Sequence, residues 1–221
     1  MKRQQNRDPE MNSNHIGPSN IIATEEGLAE IIGRPGPRVL AKVIDRLDGI
    51  CRAFIARSPF VIIASHDAEG RTDVSPKGDP PGFVHVLDDR TLAIPERPGN
   101  RRADTFHNVL QQSRVGLIFL VPGKAETLRI SGTARVVHDA SLCERMAVAG
   151  RVPVLALVVT LEEAFMHCTK CMVRSRLWQP DTWNPEGLAS IGEAMVVHGR
   201  LDMLVADMRA IAEKDERERL Y

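Results

Sequence analysis

The chain reads as α+β and mainly β: an antiparallel barrel with flanking helices. Three observations predict it. Between residues 60 and 161, short β-branched or alternating apolar runs succeed one another with little more than turns between them, the strand density of an antiparallel barrel. Two helical stretches, near residues 100–111 and at 141–149, break that series. Apolar residues at helical spacing otherwise gather on either side of it, at 24–54 and 184–211.

Residues 1–20 are polar with scattered charge and almost nothing to pack, which predicts a flexible arm. Thr24 caps a short helix that ends near Gly33. Arg34-Pro35-Gly36-Pro37 is a stiff break, after which Val39, Val43, Leu47, Ile50 and Phe54 mark one face of a longer helix packed across a sheet. At Phe60 the period changes: 60–65 is a strand, 67–70 a turn, and 71–75 the returning strand of a hairpin. Further strands are predicted at 83–87, 91–94, 114–121, 127–137 and 154–161.

The first helix that interrupts the strands follows the break at Pro98-Gly99, with Asn100 as its N-cap and Ala103, Phe106, Val109 and Leu110 on one face. Towards the end, Asn184-Pro185 supplies a cap followed by a proline at the first helical position. Leu201, Leu204, Val205, Met208 and Ile211 then form another apolar face. The final EKDERERLY reads as a solvated, fraying helix end. Three segments result: the arm 1–20, a barrel domain with its N-terminal helices at 21–180, and a C-terminal helical extension at 181–221.

Composition narrows the function classes. At 221 residues and 43% hydrophobic content the chain can bury one substantial core. Lys plus Arg and Asp plus Glu are equal at 29 each, so no overall field draws the protein to nucleic acid or an anionic membrane. Aromatics form only 4% of the chain, too few for a platform that stacks single-stranded bases. The sequence shows no apolar run of the roughly 18 residues a membrane helix needs, and its first residues lack the apolar core of a signal peptide. Four cysteines in a chain of this length suit a reducing compartment rather than a disulfide framework. The reading is a cytoplasmic protein.

Arg101 and Arg102 are the strongest local clue. Placed on the opening turn of a helix, cations face the positive pole of its dipole, which is unfavourable unless an anion joins them. A phosphate would satisfy both the guanidinium forks and the free backbone N–H groups there. The competing reading is a solvated pair neutralised by Asp104. Ser75-Pro76-Lys77-Gly78 forms a second feature, either a rigid loop that touches a cofactor ring or phosphate, or an ordinary turn. A third is Lys170, Arg174 and Trp178, spaced by four along one helix face, which suits phosphate or an aromatic ring or else is a solvated basic stripe.

Cys168 and Cys171 make a lone CxxC with no second cysteine pair near it, so ordinary thiols are favoured over zinc or dithiol chemistry. No GxSxG, HExxH, Walker loop or strand-borne GxGxxG is present.

VSPKGDPPGF, TLAIPERPGNRRADTFHNVLQQSRVGLIFLVPG and ETLRISGTARVV together resemble the FMN-binding split β-barrel family of pyridoxamine phosphate oxidase-like proteins, over about residues 38–180. Within it the match is to a bacterial subgroup of probable FMN-dependent enzymes. The resemblance implies that the turn before the helix holds the flavin phosphate, at Asn100, Arg101 and Arg102. It implies that Ser75, Pro76 and Lys77 pass beside the isoalloxazine, and that Thr127 and Arg129 lie on a strand lining the same cleft. Family members are homodimers with flavin sites at the subunit interface, which implies that Lys170, Arg174 and Trp178 reach the partner's cofactor. One departure concerns substrate: the Arg-x-His pattern near the C-terminus of authentic pyridoxamine phosphate oxidases is missing here. The implied function is an FMN-dependent oxidoreductase acting on an unidentified small molecule. Its alternative is a flavin, deazaflavin or haem binder without turnover.

Overall fold

Alternating burial builds the sheet. In Phe60–His66 (β1) every second side chain is buried, and Val61 and Ile63 are fully enclosed, the pattern of a strand with one face on a core. The structure, a computed structural model, describes Gly17 and residues 21–221. The arm expected at 1–20 falls, Gly17 apart, outside the described residues. The chain divides into two units, 1–41 and 42–221.

The first unit carries two short helices, Glu25–Ile32 (α1) and Pro37–Leu40 (α2). Thr24 caps α1 by accepting from the Gly27 N–H at 3.1 Å, and Gly33, at φ 77°, ends it, both as the sequence predicts. The long helix predicted through Val39 and Phe54 does not form. Asp48 caps a separate helix, Gly49–Ile55 (α3), through the Cys51 N–H. Ahead of it Ile44 exchanges backbone hydrogen bonds with Ala164 in the manner of a strand.

In the second unit β1 pairs with Thr72–Gly78 (β2), and the sheet continues through His85–Val86 (β3), Thr91–Pro95 (β4), Arg114–Leu120 (β5), Thr127–Val137 (β6) and Ala156–His167 (β7). Every pairing is antiparallel, in the order β2-β1-β5-β6-β7-β4-β3. Side chains from β1, β4, β5, β6 and β7 meet in one core with Phe54 and Ile55 of α3 and with Phe106 and Val109 of Asp104–Gln111 (α4). A seven-stranded sheet whose distant strands share one core is curled around it, the open barrel with flanking helices that the sequence predicts.

β6 shifts register between Ser131 and Gly132. A Cβ on Gly132 would lie 2.1 Å from the Thr160 carbonyl oxygen, so glycine alone lets the two strands close over that bulge.

Ala140–Arg145 (α5) and Lys170–Ser175 (α6) flank the sheet, and Ile191–Gly199 (α7) and Val205–Glu218 (α8) pack on each other. No helix starts at Pro185. A turn closes there by the Leu188 N–H to the Pro185 carbonyl, and Ser190 caps α7 instead. The apolar set from Leu201 to Ile211 is not one helix face, because α8 begins only at Val205 and buries Met208 alone. Among the described residues, no helix is long and apolar enough to cross a membrane.

Candidate functional site

The edge strand β2 presents Asp73, Ser75 and Lys77, two residues apart and all half-buried, on one face. The loop expected at 75–78 is therefore strand. Pro76 lacks an N–H and Gly78 lacks a side chain, so both read as turn residues, yet an edge position tolerates them. The inward face is polar and engaged. Asp73 Oδ2 accepts from Ser75 Oγ at 2.8 Å and from Thr105 Oγ1 at 3.1 Å. Lys77 Nζ bonds Glu96 at 2.9 Å and lies 5.6 Å from the centre of the Phe106 ring.

Opposite this face runs the segment 96–103, which joins β4 to α4. Arg101 and Arg102 sit in it rather than on the helix. The residue at the helix cap is Ala103, in the left-handed region at φ 52° and without any side-chain cap. Asn100 is not the cap either; its Oδ1 accepts the Arg102 N–H at 3.0 Å and so stabilises the loop. The first helical side chain is Asp104, whose negative charge suits the positive pole. The dipole conflict predicted for the two arginines is thus absent. Arg102 Nε instead meets Asp104 Oδ2 at 2.8 Å, the solvated pairing that the sequence left open, and that contact raises the Arg102 pKa.

Arg101 is different. It holds φ 62°, a left-handed conformation that costs a non-glycine residue about 1–2 kcal/mol. Among the described residues its guanidinium has no carboxylate partner. Backbone outliers of this kind, two in three residues with Ala103, gather where a ligand is held.

The edge strand and this loop enclose a cleft of about 520 Å³, lined by Ser75, Pro76 and Lys77 on one side and by Arg97, Asn100, Arg101 and Arg102 on the other. Six of the residues singled out from sequence meet there. The wall is cationic with one uncommitted guanidinium, a donor set that fits a phosphate monoester. Among the described residues lining it there is no His, Cys or Met, and so no axial ligand for haem iron.

The other five lie elsewhere on the chain. Thr127 is buried at the start of β6, opposite His167. Arg129 rests over the Phe165 ring at 5.1 Å. Lys170 and Arg174 belong to α6, but Arg176 at φ 51° ends that helix, so Trp178 does not continue their face. Its indole donates to the Lys124 carbonyl at 2.8 Å. Sequence reasoning missed Arg97, Asp79 and Tyr221. Arg97 Nε meets Asp79 Oδ2 at 2.5 Å, and the Tyr221 hydroxyl donates to Asp79 Oδ1 at 2.9 Å. Arg97 stands in the same RPGNRR segment as the pair already noticed and was open to detection there; Tyr221 carried no local signal.

The pyridoxamine 5'-phosphate oxidase family model matches residues 47–168, more than half of the chain. No curated protein matches. Similar solved structures include HupZ from Group A Streptococcus, 19% identical over 52% of this chain and 89% of that one, with a TM-score of 0.43. A candidate pyridoxamine 5'-phosphate oxidase from Lactobacillus delbrueckii is 23% identical over 55% and 99%, with a TM-score of 0.41. An FMN-binding protein from Syntrophomonas wolfei is 11% identical over 53% and 83%, with a TM-score of 0.44.

Proposed function

The chain belongs to the pyridoxamine 5'-phosphate oxidase family, and from that premise we propose that it is an FMN-dependent oxidoreductase acting on a small organic molecule. The observation that carries this reading is the convergence of Asn100, Arg101 and Arg102 with Ser75, Pro76 and Lys77 on one cleft. Bound flavin would supply the electron or hydride transfer. Arg101 and Arg102 hold its phosphate by charge-assisted hydrogen bonds, and Asn100 keeps their backbone in place. Ser75 and Lys77 face the ring, with Lys77 steadied by Glu96. Pro76 stiffens the strand that carries them.

The functional unit in this reading is a homodimer. Thr127, Arg129, Lys170, Arg174 and Trp178, which lie outside the cleft of their own chain, serve the cleft of the partner subunit.

Titration of the apoprotein with FMN, followed by flavin fluorescence, tests the proposal. Saturable uptake is expected, and Arg101→Ala combined with Arg102→Ala lowers affinity by at least about tenfold, since each removes charge-assisted bonds. A wild-type protein that takes up no FMN overturns it. One observation favours a second reading, flavin binding without turnover: among the described residues, every ionisable side chain of the cleft except Arg101 is already paired. Bleaching of the bound flavin by a reduced nicotinamide and its return in air distinguish the enzyme from the carrier.

A further inference from the structure

The segment 96–103 is anchored at its start by a network that reaches the cleft only through Arg97, since Asp79 and Tyr221 do not line it. Arg97 is largely buried, at 14% side-chain exposure; besides its bond to Asp79 it donates from Nη2 to the Met146 carbonyl at 2.8 Å. The Asp79 side chain is 1% exposed, and a carboxylate so enclosed must be fully partnered. Its second oxygen is satisfied by Tyr221, whose ring also stacks against Arg97, 5.7 Å from the guanidinium carbon. The carboxylate raises the phenol pKa, so the neutral, donating form is the one held. Arg97 and Pro98 form a shared wall, with the cleft on one side and Tyr221 on the other.

We propose that Tyr221 is a positioning residue for phosphate: acting through Asp79 and Arg97, it fixes the start of the loop so that Asn100, Arg101 and Arg102 keep the conformation that faces the cleft. The inference rests on the FMN reading above. Two left-handed residues, Arg101 and Ala103, follow within six positions of the anchor. Their conformation is costly, and it persists only while both ends of the loop are held. Freed at Arg97, the segment relaxes and withdraws its guanidinium groups. Because Tyr221 does not itself line the cleft and meets it only through Arg97, its loss acts on the phosphate and spares the ring.

The test compares FMN with riboflavin, which has no phosphate, in fluorescence titrations of the full chain and of Tyr221→Ala and Tyr221→Phe. Tyr221→Ala is expected to lower FMN affinity about tenfold, the scale of one hydrogen bond to a charged group, while the affinity for riboflavin stays put. Tyr221→Phe restores part of the loss, since its ring still covers Arg97. A merely structural role would weaken both flavins equally, and that result, or unchanged FMN affinity in Tyr221→Ala, overturns the inference alone. A wild-type chain that binds neither flavin overturns the FMN reading and this inference together.

Discussion

Thr105 and Asp73 tie the first turn of α4 to the edge strand: Thr105 Oγ1 donates to Asp73 Oδ2 at 3.1 Å, with the threonine only 2% exposed. This bond anchors the far end of the loop that Arg97 anchors at its start. Thr105→Val keeps the shape and removes the donor, while Ser75 still satisfies the carboxylate. Urea unfolding should show a loss of about 1 kcal/mol, the net worth of one such bond, and FMN affinity should fall several-fold.

Asp104 competes with any anion for Arg102. Asp104→Asn keeps the side chain's shape and releases that guanidinium, while giving up the negative charge that suits the helix start. FMN should bind up to about fivefold more tightly in the variant, on the scale of an exposed ion pair removed. Fluorescence titration checks this, and weaker binding would show that Asp104 aids the site.

The thiols should divide by environment. Burial and the nearby Asp48 push the Cys51 thiol up to about 11, and Cys143 is buried, whereas Cys168 and Cys171 are exposed. Only the thiolate alkylates at a useful rate. Brief iodoacetamide treatment of the native protein near neutral pH should add two labels, both on the peptide carrying Cys168 and Cys171, as read by mass spectrometry.

His85 makes stability sensitive to mild acid. Burial first, then Arg145 and Arg97, hold its pKa below the ordinary 6.5. The folded state therefore binds this proton less readily than the unfolded chain. Its contribution is complete above 6.5 and is lost as pH falls through the lowered value. The urea midpoint should drop between pH 7.5 and 5.5, and His85→Gln should flatten that part of the profile.

Gly132→Ala should be among the most damaging small substitutions. The added methyl would meet backbone at 2.1 Å, where no side chain can move aside. A loss of about 1–3 kcal/mol is the usual result of such overpacking, readable as a lower urea midpoint.

Where the signal was local, the sequence disclosed it. Strands β1, β5 and β6 lie within one residue of their predicted bounds because each alternates against a single core. Strand β7 runs six residues beyond Leu161 because Glu162 and Glu163, on an exposed stretch, hid a strand that β6 is long enough to pair. Arg101 and Arg102 were legible locally, since paired basic residues after a proline–glycine break stand out in any chain, but only the family resemblance joined them with Asn100, Ser75, Pro76 and Lys77 as a group. Their local geometry was not legible: a left-handed alanine in place of an asparagine cap depends on how the loop is pulled from both ends. The contact between Asp79 and Tyr221 spans 142 positions, and nothing near either residue announces it.

Strand β4 finds its main partner in β7, with Thr91 opposite Thr160 and Pro95 opposite Ala156. A ribosome must therefore deliver more than sixty further residues before β4 can dock, and such distant pairings are the slow ones in folding. The arginine-bearing segment begins where β4 ends, so the pocket takes shape only at the close of assembly. A nascent chain interrupted before β7 would carry every residue of that pocket and hold no ligand.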